Sequence, residues 1–268
     1  MIRTKKYITG DYMEIEVFNL SPFRRPICRA KKSKESTPAQ KKLNDKKRLR
    51  YFVRLVNSNF GRRDLTLELT FDDQHLPEDR EEVLRAVKNY VRRLKRAWIK
   101  SGKDPEAFKY IYVISNHAGD GSGSTARPHV HMFLSGMDRD IVESKWGHGF
   151  VNADRLQLNE YGATGKALYM ARQARSERSW GSSTNLVRPE PIISDRAITK
   201  RQMDRIVNDP SDGRYIEKLI NEGRKHKWTF TDCLVELDGR ELFGSDIDTG
   251  EGMGVSLLIR MRKESWMK

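Results

Sequence analysis

The chain has 268 residues, with 51 Lys+Arg against 37 Asp+Glu, a formal net charge of +14, and 37% hydrophobic residues. That length suits one large domain or two small ones, and 10 Phe, 9 Tyr and 5 Trp suffice to build a core. No apolar run approaches the roughly 18 residues of a membrane span, and the opening MIRTKKYITGDYMEIEV carries no apolar signal-peptide core, so a soluble, intracellular chain is expected. Cys28 and Cys233 lie far apart and form no CxxC pair, which argues against a disulfide scaffold or a cysteine zinc site.

Residues 1–63 hold 18 Lys+Arg against 5 Asp+Glu, whereas residues 64–268 hold 33 against 32. The asymmetry points to a polyanionic partner, nucleic acid before an acidic membrane, met through the densest stretch, Arg24 to Arg63. Lys46, Lys47, Arg48, Arg62 and Arg63 are its candidate DNA contacts.

Residues 1–37 read as an irregular basic lead-in. Segment 38–58 has Leu43, Leu49, Val53 and Val56 at near-helical spacing and predicts a basic helix. In LTLELTF, Leu65, Leu67, Leu69 and Phe71 alternate with Thr66, Glu68 and Thr70, which predicts a half-buried strand. Leu84, Val87, Val91, Leu94 and Trp98 step by three and four through a helix expected at 77–100, with Pro77 in its first turn. Strands at 109–115 and 128–134 flank a Gly/Ser-rich loop and predict a hairpin with a long tip. A helix follows at 163–177. Beyond Pro189 and Pro191 the pattern weakens to a helix at 198–208 and strands at 227–237 and 254–262. This order predicts an α+β fold, an antiparallel sheet with flanking helices, with 193–268 as an extension or subdomain.

His129-Val130-His131 is the sharpest chemical feature. Residues i and i+2 of a strand share a face, so the two imidazoles project together as half a divalent-metal site. The hairpin topology brings His117 toward the His129 end of the pair as a third candidate. His75, His148 and His226 are scattered and read as ordinary surface or packing residues. On the later helix, Lys166, Tyr169, Arg172 and Gln173 share one side. A tyrosine among cations at that spacing suits phosphoryl transfer, the phenol attacking and the cations holding phosphate oxygens. A packed core tyrosine is the plainer alternative, and Tyr161 is the rival nucleophile.

The strand LTLELTF, then RPHVHMF, then the helical YMAR resemble, in order and spacing, the three motifs of the HUH endonucleases, closest to single-tyrosine rolling-circle replication initiators of plasmids and phages. The resemblance covers about residues 38–192. It implies an RRM-like core with the histidines on a central strand, a bound Mg²⁺ or Mn²⁺, and His129 and His131 as ligands. His117 falls where many members place a third ligand. It further implies Tyr169 as nucleophile, forming a 5′-phosphotyrosine link and a free 3′-OH, with Lys166 and Arg172 steadying phenolate or phosphate. Arg172 stands where the family has Lys, so positioning phosphate is its expected role. Arg127, ahead of the metal strand, is placed to touch backbone phosphate. The implied setting is the cytoplasm of a bacterial host, with origin or single-stranded DNA as partner and no membrane. A host helicase and polymerase are also implied, since no GxxxxGK[ST] motif is present.

A relaxase or transposase would use similar residues, although segment 38–71 favours an initiator. Other classes are a metal-dependent hydrolase without a protein nucleophile and a non-catalytic nucleic-acid-binding module. Histidine-triad hydrolases are disfavoured because Phe133 occupies the place of their third alternating histidine.

Overall fold

The structure, a computed structural model, describes residues 1–20, 38–115, 127–173, 180–223, 227–237, 240–243 and 254–263. In chain order the elements begin with β1 (Ile2–Thr9), β2 (Tyr12–Asn19), α1 (Pro38–Asn59), β3 (Leu65–Thr70), α2 (Arg80–Lys100), β4 (Tyr110–Ser115) and β5 (His129–Leu134). They continue with α3 (Arg139–Ser144), β6 (Val151–Arg155), α4 (Thr164–Gln173), β7 (Gly181–Ser182) and β8 (Ile192–Ser194). The last are α5 (Lys200–Asn208), α6 (Gly213–Asn221), β9 (Trp228–Leu237), β10 (Arg240–Phe243) and β11 (Val255–Lys263). The fold is α+β, with two antiparallel sheets and six α-helices among the described residues.

The chain divides into two units: Met1–Arg54 with Glu160–Gly162 and Pro189–Lys268, and Leu55–Asn159 with Ala163–Arg188. The expected boundaries differ from this. Residues 1–37 were expected to be irregular, but β1 and β2 form a full antiparallel hairpin. The extension expected at 193–268 joins that hairpin in one six-stranded sheet, ordered β10-β9-β11-β2-β1-β8. In β2 Met13, Ile15 and Val17 alternate with Glu14 and Glu16, a strand pattern, and every residue from Tyr12 to Phe18 is buried, the two acids included.

In the first unit, Met13, Ile15 and Val17 of β2 pack with Leu257, Ile259 and Met261 of β11 beneath Met203 and Ile206 of α5 and Ile216 and Ile220 of α6. The alternate residues of β2 meet charge instead. Arg54 donates from Nε to Glu14 Oε2 at 2.7 Å and from Nη2 to Glu16 Oε1 at 2.6 Å. Arg50 lies 3.3 Å from Glu16 and 3.9 Å from the fully buried Glu236. Burial alone would raise the Glu14 carboxyl, yet the Arg54 charge holds it below its usual value.

The second unit has the sheet order β6-β3-β5-β4-β7, so the histidine strand β5 is central. Leu65, Leu67 and Leu69 of β3 and Val130, Met132 and Leu134 of β5 are buried under Val83, Val87, Tyr90, Leu94 and Trp98 of α2. Asp79 caps α2 by accepting from Glu82 N–H at 2.8 Å; Pro77 precedes that cap rather than standing in the first turn. The Tyr90 hydroxyl donates to Val142 O at 2.9 Å, and Trp146 Nε1 donates to Thr70 O at 2.8 Å. Gly181 of β7 lies so close over the Tyr112 ring that a Cβ there would meet it at 2.4 Å, so no larger residue fits that edge.

Replacing Arg54 with Ala would remove the guanidinium that the buried Glu14 and Glu16 share. Breaking a buried pair in this way costs about 3–5 kcal/mol. Urea unfolding of Arg54→Ala should show that loss in the first unit. A change below about 1 kcal/mol, the ordinary value of an exposed pair, would show that the network is not what stabilises this face.

Candidate metal centre and tyrosine helix

β5 pairs with β3 so that Glu68 lies opposite His131 and Thr70 opposite His129. On its other side β4 places Val113 opposite His131 and Ser115 opposite His129. Strand alternation sends Leu67, Leu69, Val130 and Met132 to the α2 face, and Glu68, His129 and His131 to the other. The ligating atoms of these three residues lie within 4.8 Å of one another, so the group can hold a metal ion.

His131 is 1% exposed. Neither of its ring nitrogens has a hydrogen-bond partner among the described residues. An unpaired buried polar atom costs about 1–3 kcal/mol, and ligation by a cation would offset that cost. Burial, then the nearby His129 and Lys166 charges, pull the His131 imidazole down to about 4. It is therefore neutral near pH 7, with a lone pair to donate. His129 Nδ1 lies 3.3 Å from Arg127 O. A carbonyl partner requires that nitrogen to carry the proton, which leaves Nε2 as the donor atom.

α4 lies on this same sheet face. Asn57 fixes its start, accepting from Ala163 N–H at 2.8 Å and donating to Thr164 Oγ1 at 3.1 Å. Ala167, Met170 and Ala171 turn inward and are buried; the two alanines among them let the helix approach the sheet closely. Tyr169 is 48% exposed, and its ring meets that of His131 edge-on with centroids 5.4 Å apart. Lys166 Nζ lies 5.6 Å from the Tyr169 ring centroid. His129, His131, Tyr169 and Lys166 are thus brought together.

Arg172 follows Tyr169 by one turn on α4 and the Arg127 carbonyl lies beside His129, while the candidate contacts of residues 46–63 lie on α1 and in the turn before β3. His117 lies outside the described residues, as does most of the basic stretch between Arg24 and the start of α1. Arg172 is exposed at the end of α4, Arg127 forms an ion pair with Asp73, and Arg48 pairs with Asp45 at 2.7 Å on α1 near Lys46 and Lys47. Arg62 and Arg63 are exposed in the turn before β3, at the end of that strand away from Thr70. Tyr161 belongs to the first unit and donates to Asp232 Oδ2 at 3.2 Å. Burial first, then the Asp232 charge, raise its phenol above the usual value, which does not suit a nucleophile.

Glu68 is the candidate ligand that sequence reasoning missed. The signal was present, since Glu68 is the only charged residue in the alternation LTLELT and lies on its polar face. Phe150 was missed as well. Thr70 N–H donates to Phe150 O at 2.9 Å, continuing the β3–β6 register by one residue. Phe150 is 81% exposed, and that register puts it on the face of Thr70, Glu68 and the histidines.

Comparisons of the chain with protein-family models, with curated proteins and with solved structures found no match. Among the described residues, no helix is long and apolar enough to cross a membrane.

Isothermal titration with Mn²⁺ should detect one site per chain. Glu68→Ala and His129→Ala should each weaken it by about 100-fold or more, beyond the 10–100-fold typical of residues that only orient ligands. Equal affinity in both variants would exclude this cluster as the metal centre.

Proposed function

We propose that the chain is a metal-dependent DNA strand transferase of the single-tyrosine HUH type, which nicks single-stranded DNA at a replication origin. The observation that carries this reading is the Tyr169 ring against His131, in a cluster whose three ligating atoms lie within 4.8 Å. A core tyrosine would be buried, whereas Tyr169 is half exposed beside the only such ligand group found among the described residues.

Glu68, His129 and His131 would hold the divalent ion. The unpartnered, neutral His131 fits that role, and the mixed oxygen and imidazole donors suit Mn²⁺ better than Mg²⁺ by ligand preference. When bound, the ion supplies positive charge to the scissile phosphate and eases its attack. The Tyr169 phenol gives up its proton as its oxygen bonds to phosphorus and the bond from phosphorus to the 3′ oxygen breaks. The chain keeps the 5′ phosphate as a phosphotyrosine, and the 3′ oxygen takes up a proton to become the free hydroxyl. Lys166, whose Nζ lies 5.6 Å from the Tyr169 ring centroid, would add positive charge beside the reacting phosphate. Phe150, flat and solvent-facing on the same sheet face, serves as a stacking platform for an unpaired base.

Incubation with Mn²⁺ and single-stranded oligonucleotides tiled across the parent replicon, read on a denaturing gel, tests the reaction. The native chain should yield a covalent 5′ adduct, and Tyr169→Phe should lose it by about 10⁴-fold or more. Metal-dependent cleavage that survives Tyr169→Phe would mean a water nucleophile and a hydrolase. Binding without any cleavage would favour a nucleic-acid-binding module.

Phe150→Ala should weaken single-strand binding by about 1–3 kcal/mol, raising KM with kcat little changed, and Phe150→Trp should restore it. An unchanged KM would exclude stacking at this position.

A further inference from the structure

The near-neutral balance of residues 64–268 conceals a strongly basic helix. From residue 83 to residue 103 there are eight Lys or Arg and no Asp or Glu. Val83, Val87, Tyr90, Val91, Leu94 and Trp98 of α2 are buried against the sheet, so the 3.6-residue period turns the cations outward. Arg85, Lys88, Arg92, Lys95, Arg96 and Lys100 are all exposed. None of the six forms an ion pair among the described residues; Arg92 reaches only the neutral Asn89, at 3.3 Å.

Beside this row, α2 and α3 enclose an open groove of about 580 Å³, where Arg93, Arg96, Lys100 and Lys145 surround Ala97 and Ile141. Arg93 is held in place by donating to Lys145 O and Trp146 O, each at 2.8 Å. α2 covers the sheet face opposite the candidate metal centre, so these cations do not serve that site directly.

We infer that the outward face of α2, with Lys145 just after α3, is a docking surface for the phosphate backbone of duplex DNA. From Arg85 to Lys100 the row runs about 22 Å at 1.5 Å per residue, roughly two-thirds of a duplex turn. Its side chains are Lys, Arg, Asn89 and the aliphatic Ile99, with no aromatic ring on which an unpaired base could stack. Cations without stacking platforms recognise phosphate and do not read sequence. The opposite sheet face, with the exposed Phe150, has the complementary chemistry for a single strand. This inference stands on charge and geometry and does not require the nicking reaction.

The test uses the full chain in EDTA, so that cleavage plays no part. The triple variant Arg92→Gln/Arg96→Gln/Lys100→Gln changes only exposed positions, and circular dichroism confirms that it folds. Fluorescence anisotropy then measures binding of a random 20-base-pair duplex and of a dT oligonucleotide between about 50 and 200 mM salt. For the duplex, losing three phosphate contacts should reduce the slope of log K against log salt by about 2.7. Over that salt range the variant should therefore lose about 40-fold less affinity than the native chain. Binding of dT should keep its slope. An unchanged duplex slope, a native chain that does not bind duplex, or an equal change for dT would each overturn the assignment. In a separate arm with Mn²⁺, the rate on a single-stranded substrate should match that of the native chain. Absence of cleavage by both proteins there, with the duplex slope changed, would count against the nicking reading alone.

Discussion

The pairing of β3 with β5 is the constraint on which the candidate site depends. Glu68 opposite His131 and Thr70 opposite His129 put an acid and two imidazoles on one face. A slip of one residue would turn the histidines into the α2 core and expose Val130 and Met132. What forbids the slip lies on the other face. Leu65, Leu67, Leu69, Val130, Met132 and Leu134 are each no more than 2% exposed, and burying such side chains stabilises by about 1.5–3 kcal/mol apiece. The apolar face of the sheet thus sets the position of the polar one. At the strand end, Trp146 Nε1 holds the Thr70 carbonyl. There Gly149, at φ 146°, brings its Cα so close that a Cβ would meet Thr70 O at 2.6 Å.

Much of the second unit was legible in the sequence because its elements obey a single period. LTLELT alternates strictly, α2 steps by three and four, and HVH declares a shared face. In β2 the alternation of Met13, Ile15 and Val17 with Glu14 and Glu16 is legible too, whereas the burial of both acids is not, because it depends on guanidinium groups of the distant α1. The two-residue β7 and three-residue β8 are too short to carry a period at all. Glu68 was visible as a strand residue but not as a ligand. Whether it meets the histidines depends on which strands are neighbours and in what register, and neither is written in local sequence. Its distance in sequence from His131 gives no hint of that pairing.

Charge shows the same limit. The N-terminal excess was read correctly as a number, but the later balance of 33 to 32 hid the eight cations of residues 83–103. An electrostatic surface follows from which charges share a face, and the fold turns the α2 cations to the outward side of that helix. Of the six residues named in advance as DNA contacts, Arg48 and Arg127 are paired with Asp45 and Asp73. Exposed pairs of this kind contribute little to stability, and a phosphate could displace either carboxylate.

The two units show two ways of burying polar groups, and the contrast distinguishes scaffold from site. Glu14, Glu16 and Glu236 are buried together with Arg50 and Arg54, so the cluster carries its own counter-charge. Each of these carboxylates has a guanidinium within 4 Å, so the charges offset one another inside the cluster. His131 is buried as deeply, yet both its nitrogens lack partners among the described residues. Its neighbours His129 and Lys166 lower its proton affinity rather than raise it. A core histidine that served only packing would be expected to find a hydroxyl or carbonyl partner. Here the chain instead provides a neutral donor, a second imidazole at 4.8 Å between ring centroids, and the carboxylate of Glu68. That combination is a donor set that a divalent cation can fill, and the half-exposed Tyr169 ring lies against it.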